Sequence, residues 1–354
     1  MAKPVNFAVA GLGMGGHHAL AVSMAKGARL AALCDIDQER LDALVKKYGC
    51  KGYTSYTALL KDPEIDVVNI VTESGLHARM GIQAARADKH IIMEKPIDIN
   101  PSRITRLEAA VAAAGIKCGC IFQSRMDPCN IALRQAIRQG KMGEVIGVHG
   151  NLPWYRGPVY FAGPHGRWRG TWKLDGGGSM MNQGIHTVDL LVFLAGRVTE
   201  VCGFFGKHNH DIESEDQTVA CLKFESGALG TIYTTTCAVP EGAQQIYLFG
   251  TKGSFRRVGG RLEMYEMGSP KERDRMLRDF GEIKIDEAIA KDPMAVESHG
   301  HKLIIEDMVR ALRNNREPAI PLAEARHAVE IVHAVYRSGR TGRTVRIPAP
   351  EKSK

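Results

Sequence analysis

Along the first third of the chain, short unbroken apolar runs alternate with longer stretches in which apolar positions recur every three or four residues. "VNFAVA" (5–10), "ARLAALC" (28–34), "IDVVNIVT" (65–72), "HIIMEKP" (90–96) and "IKCGCIFQSR" (116–125) read as strands buried on both faces, because a strand with one wet face would alternate apolar and polar positions. Between them "DALVKKYG", "HARMGIQAARAD" and "SRITRLEAAVAAAG" carry the helical period. Strands alternating with helices over about 120 residues predict a parallel sheet wound on both faces, with ligands beyond the carboxyl ends of the strands. The polar groups at those ends are Thr72, Glu73, Ser74, His77, Glu94, Lys95, Gln123 and Arg125. The pattern predicts that they converge on one crevice.

At 354 residues and 44% hydrophobic content, the chain is long enough for a second core, so residues 1–124 are expected to form the wound sheet and residues 125–354 another domain. No apolar run approaches the ~20 residues that span a bilayer. The chain enters its first strand without a separate apolar leader, and a cytoplasmic location is expected. The eight cysteines are scattered, with Cys118 and Cys120 on one face of a strand rather than in a metal knuckle, which fits a reducing compartment. The formal charge of +8 is spread without basic runs or interleaved aromatics. That argues against nucleic acid and for an anionic substrate or cofactor.

The first strand runs into Gly11-x-Gly13-x-x-Gly16, followed by a helix opening near His17. Glycine permits a sharp turn at 11, close approach of a pyrophosphate at 13, and tight helix–strand packing at 16. The second strand ends at Asp35, about twenty residues on, where a carboxylate binds the adenine ribose hydroxyls. Asp35 would repel a 2′-phosphate, so NAD is expected in preference to NADP. Arg40 lies close enough to qualify that choice, although a solvated helix position is its plainer role.

Two further stretches carry chemistry. In "EKP" (94–96) a lysine ends a buried strand and a proline fixes the turn after it; Lys95 is either held near a nicotinamide with a lowered pKa or a surface lysine at a strand end. In "DGGGSMMNQGIH" (175–186), three glycines precede a polar pair and a histidine. If the chain is α-helical after Gly178, Asn182 and His186 share one face, a turn apart.

"GLGMGG", "CDID", "TESGLHARM", "MEKP", "FQSRMDP", "WRGTW" and "DGGGSMMNQGIHTVDLL" occur in the order seen in the Gfo/Idh/MocA oxidoreductases. The chain resembles that family, which includes glucose-fructose oxidoreductase and inositol dehydrogenase, over nearly its whole length. The resemblance implies an α/β architecture: an N-terminal Rossmann domain, a C-terminal α/β domain with a large open mostly antiparallel sheet, and C-terminal helices (298–340) packing back on the first domain. It implies a homodimer or homotetramer through the free face of that sheet. Cofactor contacts are expected at Gly11, Gly13, Met14, Gly15, Gly16, Asp35, Thr72, Ser74, His77, Glu94, Lys95 and Gln123, with Trp168 and Arg169 near the nicotinamide. Substrate contacts are expected at Lys95, Arg125, Tyr155, Arg156, Trp172, Asn182, Gln183 and His186.

Within the resemblance, Lys95 touches both nicotinamide ribose and substrate hydroxyl, and His186 is the proton acceptor. Asn182 departs from the commonest pattern, which has aspartate there. An amide cannot act as a base, so it only orients a hydroxyl and the proton goes to His186, whose ordinary pKa near 6.5 suits that task. The "GGGxxxNQxIH" form with "WRGTW" resembles most the nucleotide-sugar and glycoside 3-dehydrogenase branch.

The expected activity is therefore NAD-dependent oxidation of a secondary alcohol on a sugar, glycoside, nucleotide sugar or inositol. Redox-assisted hydrolysis or elimination with retained NAD, and a non-catalytic NAD-sensing regulator, are the alternatives. The long stretch "WYRGPVYFAGPHGRWRGTW" (154–172) reads as a substrate lid, with Trp154, Tyr155, Arg156, Tyr160 and Trp172 on sugar faces and Arg156 or Arg167 on an anion, or else as a packed surface loop. "KHNHDIESED" (207–216) gathers His208, His210 and acidic residues. It reads as a solvated loop, and no metal is assigned.

Overall fold

The computed structural model describes residues 3–163, 166–282 and 293–349. Pro164 and His165 of the long 154–172 stretch lie outside the described residues. Two compact units divide the chain: Met1–Met126 with Ile285–Arg326, and Asp127–Lys284 with His327–Lys354.

The first unit is a six-stranded sheet of β1 (Val5–Ala10), β2 (Ala28–Cys34), β3 (Lys51–Tyr53), β4 (Val67–Ile70), β5 (His90–Met93) and β6 (Cys118–Cys120). Its order is β3-β2-β1-β4-β5-β6 and every pairing is parallel, the doubly wound dinucleotide-binding order. The connecting helices are α1 (Gly15–Met24), α2 (Gln38–Tyr48), α3 (Tyr56–Leu60), α4 (His77–Arg86) and α5 (Pro101–Ala114). Local chemistry sets their ends. The Asp37 side chain accepts from Arg40 N and Gly49 closes α2 at φ 63°, while Asn100, Pro101 and Gly115 do the same for α5. Val9, Leu12, Ala19, Leu33, Leu41 and Val71 form the core between α1, α2 and the sheet.

The strands are shorter than their apolar runs. β5 stops at Met93 and β6 at Cys120, after which Gln123–Met126 is a 3₁₀ turn. Cys120 N bonds Ile320 O there, and Gly119 bridges Pro321 antiparallel. A segment 200 residues away in sequence thus completes the sheet edge, which no local pattern announces.

The second unit holds α6 (Pro128–Arg138), β7 (Val145–Pro153), α7 (Pro158–Ala162), a π-helical turn (Ser179–Gly184), α8 (Ile185–Ala195), and β8 (Val198–Gly206) to β10 (Leu229–Thr235) through β9 (Gln217–Phe224). β11 (Gln245–Gly250), β12 (Ser254–Val258), β13 (Arg261–Glu266) and α9 (Pro270–Phe280) follow. After the undescribed stretch come α10 (Pro293–Arg313), α11 (Leu322–Thr341) and β14 (Val345–Arg346). The eight-stranded sheet runs β13-β12-β11-β7-β10-β9-β8-β14, antiparallel except for β7 with β10.

The two C-terminal helices divide between the units. α10 packs within the first, where His17 Nδ1 meets Ser298 Oγ at 3.3 Å. From His327 onward α11 belongs to the second, where Ser338 Oγ accepts from Gly203 N at 3.0 Å and Tyr336 Oη from Met181 N at 3.2 Å.

Candidate active site

In the first unit, β1 ends at Ala10 and is followed by Gly11, whose φ is 89°. A Cβ there would lie 2.6 Å from the Val71 carbonyl oxygen, so only glycine lets the chain leave β1 against β4. At Gly13 a Cβ would meet nothing within 4 Å, leaving the backbone open to a ligand. Tight packing falls one residue earlier than the motif suggested. α1 begins at Gly15, where a Cβ would stand 3.0 Å from Val9 Cγ1, whereas Gly16 is half-buried. Met14 occupies the N-cap without a side-chain hydrogen bond, so its side chain does not cap the first turn.

Asp35, buried at the end of β2, accepts from Leu12 N at 2.6 Å and Asp37 N at 2.9 Å. Its carboxylate is thereby tied to the glycine loop. Arg40 is not a solvated helix residue: its guanidinium lies 3.3 Å from Asp35 and 3.0 Å from Asp37, pinned between two carboxylates. The open Gly13 backbone, the α1 start without a side-chain cap and the fixed Asp35 carboxylate fit a pyrophosphate and a ribose diol.

The predicted groups at the carboxyl ends of β4, β5 and β6 serve different ends. His77 is buried, with Nδ1 2.7 Å from the Pro96 carbonyl and Nε2 3.0 Å from that of Thr72. Both ring nitrogens lie against backbone carbonyls, so the His77 ring sits between the turns that carry Thr72 and Lys95. Thr72 Oγ1 donates to Met80 Sδ at 3.3 Å, and Ser74 is buried at the start of a 3₁₀ turn. Arg125 is buried and bonds Glu324 at 2.6 Å. The Gln123 amide oxygen is buried and has no hydrogen-bond partner among the described residues, with Gly300 of α10 making room for its side chain.

Glu94 stands at the centre of a cluster the sequence did not reveal. Its Oε1 lies 3.1 Å from His18 Nε2 of α1 and 3.3 Å from His301 Nε2 of α10, while Oε2 accepts from Lys95 N at 2.8 Å. Burial pushes the Glu94 carboxyl up, but the two imidazoles outweigh it and hold it well below the usual range. The result is a fixed anion that orients the Lys95 backbone.

In the second unit, the turn after the glycines is π-helical, so Asn182 and His186 are not one α-helical turn apart: Asn182 lies in the π turn and half-buried His186 in the first turn of α8. A wider turn leaves more N–H groups to satisfy, and buried Glu215 supplies the acceptors. It takes hydrogen bonds from Gly178 N, Ser179 N and Met180 N at 3.1 Å each, from Ser179 Oγ at 2.6 Å, and from Tyr336 Oη. Gly178 is required, since its Cβ would lie 1.9 Å from the Glu215 carbonyl oxygen.

The π turn presents a connected polar face. Asn182 Nδ2 donates to buried Asp175 at 2.7 Å, while its Oδ1 receives Tyr160 Oη at 3.4 Å and Gln183 Nε2 at 3.2 Å. Gln183 Nε2 also reaches Tyr160 Oη at 2.6 Å, and Arg156 donates to Gln183 Oε1 at 3.4 Å. Arg156 stacks 4.6 Å from the Trp154 ring, and Arg169 4.2 Å from the Tyr160 ring and 5.5 Å from that of Trp168. Burial raises the Tyr160 hydroxyl's pKa, so it stays a neutral hydrogen-bonding group.

Trp172 and Tyr155 are held by other contacts. Trp172 packs edge-on against Tyr336 at 5.2 Å and Phe205 at 6.0 Å, with Arg340 over its face. Tyr155 joins the fold through a backbone bridge to Cys237. The sequence does not signal the roles of Asp175 and Glu215, because a buried carboxylate ahead of a glycine run or before a strand carries no period of its own.

Residues 5–122 match the profile of an oxidoreductase family with an NAD-binding Rossmann fold, and residues 131–256 that of the GFO/IDH/MocA C-terminal domain. The chain is 30% identical to myo-inositol 2-dehydrogenase of Thermotoga maritima over 258 residues, covering 69% of this chain and 72% of that one. It is 28% identical to inositol 2-dehydrogenase of Rhizobium meliloti over 97% of this chain and 99% of that one. Among solved structures, the WlbA dehydrogenase of Bordetella pertussis, in complex with NADH and UDP-GlcNAcA, superposes with a TM-score of 0.88 at 29% identity over 99% of both chains.

Proposed function

Because the chain belongs to the Gfo/Idh/MocA family of NAD-binding oxidoreductases, we propose that it oxidises a secondary alcohol on a sugar, glycoside, nucleotide sugar or inositol, with His186 as base and Lys95 polarising the hydroxyl. The face formed by Asp175, Asn182, Tyr160, Gln183 and Arg156 carries this reading. It offers several fixed donors and acceptors, as a polyol requires, beside the stacked Trp154 and Arg156, which suit a sugar ring and an anionic substituent. Relatives acting on inositol, and a structural neighbour holding a nucleotide sugar, support the substrate class.

NAD, when bound, accepts the hydride from the carbinol carbon. Gly11, Gly13, Met14, Gly15 and Gly16 would hold its pyrophosphate, Asp35 its adenine ribose, and Thr72, Ser74, Glu94, Lys95, Gln123, Trp168 and Arg169 its nicotinamide half. Asn182, oriented by Asp175, positions a hydroxyl but cannot take its proton, which passes to His186. The Lys95 ammonium stabilises the developing alkoxide charge. Arg40 is compensated by Asp35 and Asp37, so NAD is preferred to NADP. Cytoplasmic residence belongs to the same reading and rests on eight cysteines that form no disulfide.

The test is turnover of a carbohydrate panel followed by NADH absorbance and product mass. NADH rising in step with a keto product is expected, and Asp35→Ser should narrow the preference for NAD. Glycoside cleavage without net NADH would replace this reading with redox-assisted hydrolysis.

A further inference from the structure

His210, Asp216 and Cys237 come from the loop after β8, the start of β9 and the exit of β10, and their donor atoms gather within 4.8 Å. The sequence suggested a solvated loop. His208 is exposed, but His210 is only 7% exposed and Asp216 0%. His210 Nδ1 lies 3.3 Å from Cys237 Sγ and 3.3 Å from Asp216 Oδ2.

The other side of the ring fixes its chemistry. His210 Nε2 stands 2.7 Å from the Arg156 carbonyl oxygen. A carbonyl only accepts, so Nε2 carries a hydrogen, and Nδ1 is the nitrogen that faces the carboxylate and the sulfur. A metal-binding histidine is oriented in this way, through its second nitrogen. Asp216 is held by the N–H groups of His208, Asn209 and His210 at 2.8, 2.8 and 2.9 Å. Bonds of about 2.0–2.3 Å to a tetrahedral zinc place its ligand atoms roughly 3.3–3.8 Å apart, and both distances from His210 Nδ1, to the sulfur and to the carboxylate, are 3.3 Å.

Two other readings fit less well. A nucleophilic relay needs thiol and carboxylate on opposite nitrogens of the imidazole, whereas both face Nδ1. In the second three-donor group, His18, Glu94 and His301, the carboxylate is already met by both imidazoles and by Lys95 N. Asn69 Nδ2 donates to His18 Nδ1 at 3.2 Å, which leaves the hydrogen on the nitrogen facing Glu94.

We propose that His210 Nδ1, the Asp216 carboxylate and the Cys237 thiolate bind one zinc-class divalent cation, with the fourth position open to water on the half-buried Cys237 side. Binding forms the metal–sulfur bond and releases the thiol proton to solvent. The ion ties β10 to the start of the long loop, because the Arg156 carbonyl anchors the ring and Tyr155 bridges Cys237.

The chelator-stripped full chain, titrated with Co²⁺ and then Zn²⁺, tests the site. One equivalent of Co²⁺ should give a thiolate-to-cobalt charge-transfer band with tetrahedral d–d bands, and Zn²⁺ should abolish both. Cys237→Ala and His210→Gln should weaken binding by more than the roughly 10- to 100-fold that loss of an outer-shell partner brings, while Cys221→Ala, on the exposed sheet face, leaves it unchanged. Absence of the thiolate band in the unmodified chain, or its survival in Cys237→Ala, would overturn the proposal.

Discussion

Asn182 shows how one residue's chemistry is decided by its neighbours. Its amide hydrogen goes to Asp175 and its oxygen to Tyr160 and Gln183, so the side chain is locked in one orientation and has no capacity for a proton. The division of labour proposed above then predicts three distinct kinetic outcomes. His186→Ala should lower kcat by about 10²- to 10⁴-fold with NAD affinity retained, the range general-base catalysis supplies. Asn182→Ala should raise KM more than it lowers kcat, and Lys95→Ala should lower turnover and weaken ligand binding together. Steady-state rates with nucleotide titration by fluorescence would separate them. Near-normal turnover in His186→Ala would move the base to another residue.

At the scale of elements, Glu94 joins α1, β5 and α10 through His18 and His301. Burial lowers the His18 pKa below 6.5, and Glu94 is held well below 4.5. Both groups bind fewer protons folded than unfolded, so the stability they contribute is lost on acidification. Unfolded histidine begins to draw protons below about pH 6.5 and unfolded glutamate below about 4.5. Melting temperatures should therefore fall from about pH 7.5 toward 4, and His18→Asn should flatten the upper part of that decline. An unchanged slope in the variant would show that other groups govern the acid limb.

For the whole molecule, the eight-stranded sheet leaves an apolar surface. Phe204 on β8 pairs with Val219 on β9 and Val219 with Tyr233 on β10, a row on the same face as Leu229. Phe204 is 70% and Leu229 62% exposed. Burying each such side chain contributes about 1.5–3 kcal/mol, and an exposed patch of this kind marks an association surface. We propose that it joins copies of this chain into a homodimer or homotetramer. Light scattering should give a multiple of the monomer mass, and Phe204→Glu with Leu229→Lys should yield monomers that keep their fold by circular dichroism. A monomeric unmodified chain at working concentration would refute the assignment.

Local rules determined much of this protein. Unbroken apolar runs separated by helical periods specify a parallel sheet, because such strands need cover on both faces. Gly11 and Asp35 were legible because a positive φ and a carboxylate at a strand end depend on a few adjacent residues. Tertiary structure decided what depends on distant partners. Gly15 rather than Gly16 packs on β1 because Val9 stands there, and Arg40 is drawn inward by Asp35 and Asp37. His301 reaches Glu94 across 207 residues of sequence. The segment after the glycines becomes π-helical where Glu215, more than thirty residues on, accepts its N–H groups. Trp172 joins Phe205 and Tyr336 instead of the polar face, and His210 lies buried beside Cys237. Periodicity records which face of an element is covered; the fold alone chooses what covers it, because hydrogen-bond and packing partners are set by proximity in space.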